Sequence, residues 1–76
     1  MDNLKYNDAG TERLGSVIGS AGLGLIVSTR SDAANGLSGT QTRLVMVHEA
    51  VDRAEWSRLY EKFGGEQLFY EDGTPV

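Results

Sequence analysis

Residues Thr40 to Gly65 read TQTRLVMVHEAVDRAEWSRLYEKFGG, and how this stretch folds decides the architecture of the chain. Asp52 followed three residues later by Glu55 has the form of a capping box, with Asp in place of Ser or Thr. Val51 before the cap and Trp56 at the fourth helical position fit the accompanying hydrophobic staple. Trp56, Leu59, Tyr60 and Phe63 then recur at i, i+3, i+4 and i+7, one face of an α-helix. Gly64-Gly65 supplies the stop, since glycine takes the left-handed conformation that a C-terminal cap requires. The spacing predicts a helix over 52–63. The part before it, Thr42 to His48, holds the unbroken apolar run Leu44-Val45-Met46-Val47. Such a run suits a strand, but periodicity alone does not separate it from a buried helix. Ser38-Gly39-Thr40-Gln41 resembles a cap for a single helix from Thr40 to Phe63. The strand is favoured, because the second capping signal at Asp52 would be wasted inside a continuous helix.

Working outward, Leu23 to Thr29 (LGLIVST) reads as another strand. The link from Arg30 to Gln41 is rich in Ser, Gly, Asn and Ala and contains the turn pair Asn35-Gly36. Two strands joined this way make an antiparallel hairpin. Between Thr11 and Ala21, Leu14, Val17, Ile18 and Ala21 again sit at i, i+3, i+4 and i+7, a helix pattern capped by Thr11 or Asp8. Gly15 and Gly19 dilute it at about 1 kcal/mol each relative to alanine. After the second helix, Gln67-Leu68-Phe69-Tyr70-Glu71 suits a short strand, and Asp72-Gly73 marks a turn. The expected fold class is α+β: a small two-layer α-β-β-α-β domain. Its three-stranded sheet is an antiparallel hairpin plus a parallel, right-handed crossover strand, with the helices on one face. Residues 1–76 form one domain, with 1–10 and 73–76 as flexible termini.

The composition agrees with a folded but marginal chain. Of 76 residues, 39% are hydrophobic and 24% charged, so a disordered polyampholyte is excluded. A domain this short buries only about 60% of the surface its unfolded chain exposes. Ten glycines add entropy to be lost, and without cysteine neither a disulfide nor a thiolate zinc site can compensate. The net charge of −4 is uneven: residues 1–48 carry four acids and four bases, whereas residues 49–76 carry seven acids against Arg53, Arg58 and Lys62. Nucleic-acid binding needs clustered Lys and Arg, and the chain has no such cluster. The uncharged stretch from Leu14 to Thr29 is 16 residues long with four glycines, short of the ~20 apolar residues of a membrane span. Asp2, Asp8 and Glu12 stand where a signal peptide would carry positive charge, so the expected location is the cytoplasm.

Catalytic motifs do not assemble. His48 is the only histidine, and a zinc hydrolase needs two at helical spacing. Ser20 lies between small residues, but Ile18 occupies the first glycine position of a nucleophile elbow. Gly19-x-x-Gly22-x-Gly24 reverses the order of the dinucleotide fingerprint, and Asp32 to Gly36 lacks the carboxylates of a calcium loop. The expectation is no enzyme, no cofactor and no metal.

Binding features remain. Phe69 and Tyr70 alternate on the expected final strand, so one of them faces solvent: Phe69 if the helices cover the Leu68/Tyr70 side, Tyr70 otherwise. Glu61, Glu66, Glu71 and Asp72 surround them in sequence. Aromatics anchor interfaces and complementary charge speeds encounter, so the expected partner is a larger protein with a basic surface. Nucleic-acid-handling machines own such surfaces because they neutralise phosphates. In smallness, acidity and lack of catalytic motifs the chain is similar to phage-encoded inhibitors of host defence such as anti-CRISPR proteins, a likeness of composition alone. The alternative is a self-assembling homo-oligomer, at least a homodimer, in which Gly15 and Gly19 let helices approach closely and an exposed strand edge pairs between subunits.

Overall fold

The computed structural model describes residues 2–31, 33–66 and 68–75. Strands β1 (Asn3–Asp8), β2 (Thr11–Ala21), β3 (Gly24–Thr29) and β4 (Gln41–Met46) precede one helix, α1 (Arg53–Lys62). The strands form a single four-stranded sheet in the order β1-β2-β3-β4, every neighbour antiparallel. The class is α+β as expected, and the β3–β4 hairpin and α1 stand where the sequence placed them. Three features differ. The sheet has four strands, Thr11–Ala21 is a strand instead of a helix, and Asn3–Asp8 is a strand instead of a flexible terminus. The expected parallel crossover strand is absent from the sheet: Gln67 lies outside the described residues, and Phe69 pairs only with Pro75 in an isolated bridge.

The 11–21 segment explains the first difference. On β2, Arg13, Gly15 and Val17 point to the helix side while Leu14 and Ile18 point to the other side, 54% and 59% exposed. The apolar side chains sit on the open face and a glycine occupies the core face. Strand alternation is thereby hidden, and the residues at 14, 17, 18 and 21 mimic a helical stripe. A register shift between Val17 and Gly19 adds to this. Ile18 is the extra residue of a β-bulge, after which Ser20 faces the helix side. Gly15 is required by close approach: a Cβ there would lie 2.6 Å from Thr29 Oγ1 and 2.9 Å from the Ser28 carbonyl oxygen, and closer still to Val27 Cγ1.

The core lies between the sheet and α1, and comprises Leu4, Tyr6, Val17, Leu25, Val27, Val45, Ala50, Trp56, Leu59 and Tyr60. Asp52 caps α1 as read, its carboxylate accepting from the backbone N–H of Ala54 and Glu55 at 3.0 and 3.2 Å. Val51, 48% exposed, does not join Trp56 in a staple. Trp56 is fully buried and stacks on Tyr60, with ring centroids 4.7 Å apart. Its indole Nε1 donates to the Val45 carbonyl at 2.9 Å, and the Tyr60 hydroxyl donates to the Gly22 carbonyl. These two bonds seat the helix on β4 and on the β2–β3 turn. Gly64, at φ +92°, ends the helix as the sequence indicated.

Neither sheet edge is left bare along its length. Ala50 pairs with Tyr6, and the Val51 N–H donates to the Lys5 carbonyl at 3.1 Å, so the segment after β4 lies beside β1. A charged clasp on the helix side draws the outer strands together. Asp8 on β1 accepts from Arg13 on β2 at 2.8 Å and pairs with Arg43 on β4 at 3.0 Å. Arg43 also meets Glu49 at 2.5 Å and lies over the Tyr6 ring, 5.4 Å from its centroid.

Candidate protein-binding site

The segment after α1 supplies the residues proposed from sequence. Gly65 rests on the Tyr60 ring, where a Cβ would collide with it. Leu68 packs against the edge of the core and fixes the start of a small hairpin. The Tyr70 N–H donates to the Thr74 carbonyl at 2.8 Å, and the Gly73 N–H donates to the Tyr70 carbonyl at 2.9 Å. Asp72 Oδ1 accepts from the Thr74 N–H at 3.0 Å and from its hydroxyl at 2.6 Å. These bonds hold the Asp72 carboxyl below the usual aspartate range, so the tip stays charged. Residues expected to form a loose terminus from 73 onward thus close a turn, while Val76 lies outside the described residues.

Both aromatics are exposed, Phe69 at 61% and Tyr70 at 43%, whereas the sequence reading left only one in solvent. The cause is that this hairpin never joins the sheet, so no layer covers either side. Arg53 Nη1 donates to the Tyr70 hydroxyl at 3.1 Å and anchors the hairpin to the first turn of α1. Glu61, Glu66 and Glu71 are exposed and, among the described residues, form no ion pair. The chain's internal pairs use other acids: Asp8 and Glu49 in the clasp, Glu55 with Arg58 at 2.6 Å, and Asp2 with Lys62 at 2.9 Å. The residues named from sequence therefore lie on one stretch, 61–72, running from the last turn of α1 through the hairpin.

Gly15 and Gly19 do not form a helical interface, because they lie on β2. Gly15 is buried under Val27 and Thr29, and Gly19 faces the open side of the sheet near Ile26. His48 is exposed on a 3-10 turn (Val47–Glu49) after β4. Among the described residues, no three His, Asp or Glu side chains gather as a metal site would require, and no helix is long and apolar enough to cross a membrane.

Two features were missed in the sequence. One is the Asp8–Arg13–Arg43–Glu49 clasp, whose members are spread over 42 positions with no local signal. The other is the open face of the sheet, whose signal was Leu14, Ile18 and Leu44, read as core positions. No protein-family model, no curated protein and no solved structure matches the chain.

Proposed function

We propose that the protein is a small non-enzymatic binding module that acts in the cytoplasm by occupying a basic surface on a larger, nucleic-acid-handling protein. The observation that carries this reading is the exposed hairpin. Phe69 and Tyr70 stand in solvent beside Glu66, Glu71 and Asp72, and neither Glu66 nor Glu71 is spent on an internal ion pair among the described residues. A fixed aromatic pair contributes contact area at little entropic cost, and uncompensated carboxylates steer encounter with a basic patch. The hairpin is anchored by Leu68 and by the Arg53–Tyr70 bond, so little of its order must be created on binding. A surface built to neutralise phosphates would accept such a compact acidic edge, and its nucleic acid would be excluded.

The test is capture from a native host lysate with the wild type, Phe69→Ala and the double variant Glu66→Lys/Glu71→Lys. Reversing two exposed carboxylates leaves the core untouched. The reading expects a stoichiometric partner that is lost with either variant and as salt rises. Equal capture by the wild type and the charge-reversed protein would refute it.

A further inference from the structure

The face of the sheet turned away from α1 has no second layer. The strand register gives its rows. Asn3, Ser16, Ser28 and Thr42 lie side by side across all four strands. The next row holds Gly19, Ile26 and Leu44, with the bulged Ile18 beside it, and the last holds Ala21, Gly24 and Met46. Ile18, Leu44 and the neighbouring turn residue Leu23 are 59%, 48% and 58% exposed. None of these residues is charged. Charge on this face stands only beyond the first row, at Lys5, Glu12 and Arg30.

We propose that this bare face is a self-association surface, on which a second copy of the chain packs sheet to sheet about a two-fold axis. This does not rest on the role assigned to the hairpin. Electrostatics selects the occupant. Two copies of a chain with net charge −4 repel one another, and this uncharged face lets them meet with no acid opposite an acid. The hairpin and its carboxylates are tied to the helix side by Leu68 and Arg53, so this packing keeps both acidic edges outward. A basic partner would find nothing here to pair with. The small residues Ser16, Gly19, Ala21, Gly24 and Ser28 permit the ~10 Å approach of stacked sheets. Four strands about 4.8 Å apart and six residues at about 3.3 Å give roughly 400 Å² of flat face per copy. Doubled, that falls short of the roughly 1,200 Å² at which stable interfaces begin, so the dimer is weak and depends on concentration.

Sedimentation equilibrium from tens of micromolar to about a millimolar tests this. The wild type is expected to show a monomer–dimer equilibrium whose dimer fraction rises with added salt, because screening removes repulsion while apolar contact survives. That is opposite in sign to the salt effect expected for the acidic hairpin, so failure of one reading is distinguishable from failure of the other. Ile18→Glu and Leu44→Glu should each weaken association at least about tenfold, by burying an unpaired charge. Phe69→Glu should leave it unchanged. Because Ile18 and Leu44 are exposed, both variants should melt as the wild type does. Concentration-dependent amide NMR shifts of the unmodified protein, expected on β3 and β4 and not on residues 68–75, give a check free of substitutions. A monomer at every concentration and salt, a dimer indifferent to both sheet-face variants, or shifts confined to the hairpin would overturn the proposal.

Discussion

Replacing Gly15 with alanine adds one methyl group and separates a strand from a helix by the sign of its effect. In a helix interior, glycine to alanine stabilises by about 1 kcal/mol. On β2 the added Cβ has nowhere to go. It would stand 2.6 Å from Thr29 Oγ1 and 2.9 Å from the Ser28 carbonyl oxygen, against Val27 as well. Val27 and Thr29 belong to β3, whose backbone is held by pairing on both sides, so the strand cannot simply step away. Overpacking of this kind costs about 1–3 kcal/mol. Thr29 Oγ1 is also bonded to the Tyr6 hydroxyl at 2.5 Å, and disturbing that buried pair adds about 1 kcal/mol. For a domain of 60–100 residues each kcal/mol moves Tm by about 4–8 °C, so the variant should melt at least about 8 °C lower. Thermal melting followed by circular dichroism, backed by urea titration, reads the effect. Gly19→Ala is the matched control: its Cβ would meet only Ile26 Cδ1, at 3.6 Å, and stability should stay within about 0.5 kcal/mol of the wild type. A Gly15→Ala protein as stable as the wild type, or more so, would refute the close approach of β2 and β3.

Three further outcomes follow from particular bonds. Tyr6→Phe removes the hydroxyl bonded to the buried Thr29, and should cost about 1–2 kcal/mol in urea-unfolding free energy with an unchanged m-value. Asp52→Ala removes the cap that serves Ala54 and Glu55, and should cost about 1 kcal/mol, much of it recovered by Asp52→Ser. Stability should be flat around neutral pH and fall in acid. Lys62 holds Asp2, Arg13 holds Asp8, Arg58 holds Glu55 and Thr74 holds Asp72 below their ordinary values of 3.8 for Asp and 4.5 for Glu. Carboxyls depressed in the folded state favour folding above those values, so Tm should begin to drop near pH 4.5 and continue below 3.8, as a pH series of melts would show.

Local signals were legible wherever they were also the structural cause. The Asp52 cap, the Trp56–Leu59–Tyr60 face and the glycine stop made α1 readable, because a cap and a stripe act within one turn of chain. The unbroken Leu44–Val47 run was read as a strand for the right reason, since a cap inside a continuous helix would have had no donors to satisfy. β2 was not legible because its apolar residues face away from the core while Gly15 lines it, an inversion that only the neighbouring strand explains. β1 was passed over although Leu4 and Tyr6 alternate correctly, because two apolar residues in a polar segment give too short a pattern. The acids and aromatics of 61–72 were identified as exposed candidates from sequence. The exposure of both Phe69 and Tyr70 follows from the hairpin staying out of the sheet, a long-range outcome that strand propensity does not encode.

The central claim is that the protein acts by holding a surface that nucleic acid would otherwise occupy. The most direct measurement is competition: the partner captured by the wild type is titrated with its nucleic acid, and the bound fraction of each is followed at fixed salt. The account predicts mutual exclusion, with each displacing the other and Glu66→Lys/Glu71→Lys unable to compete. A ternary complex in which the partner holds the protein and the nucleic acid together at full stoichiometry would contradict it.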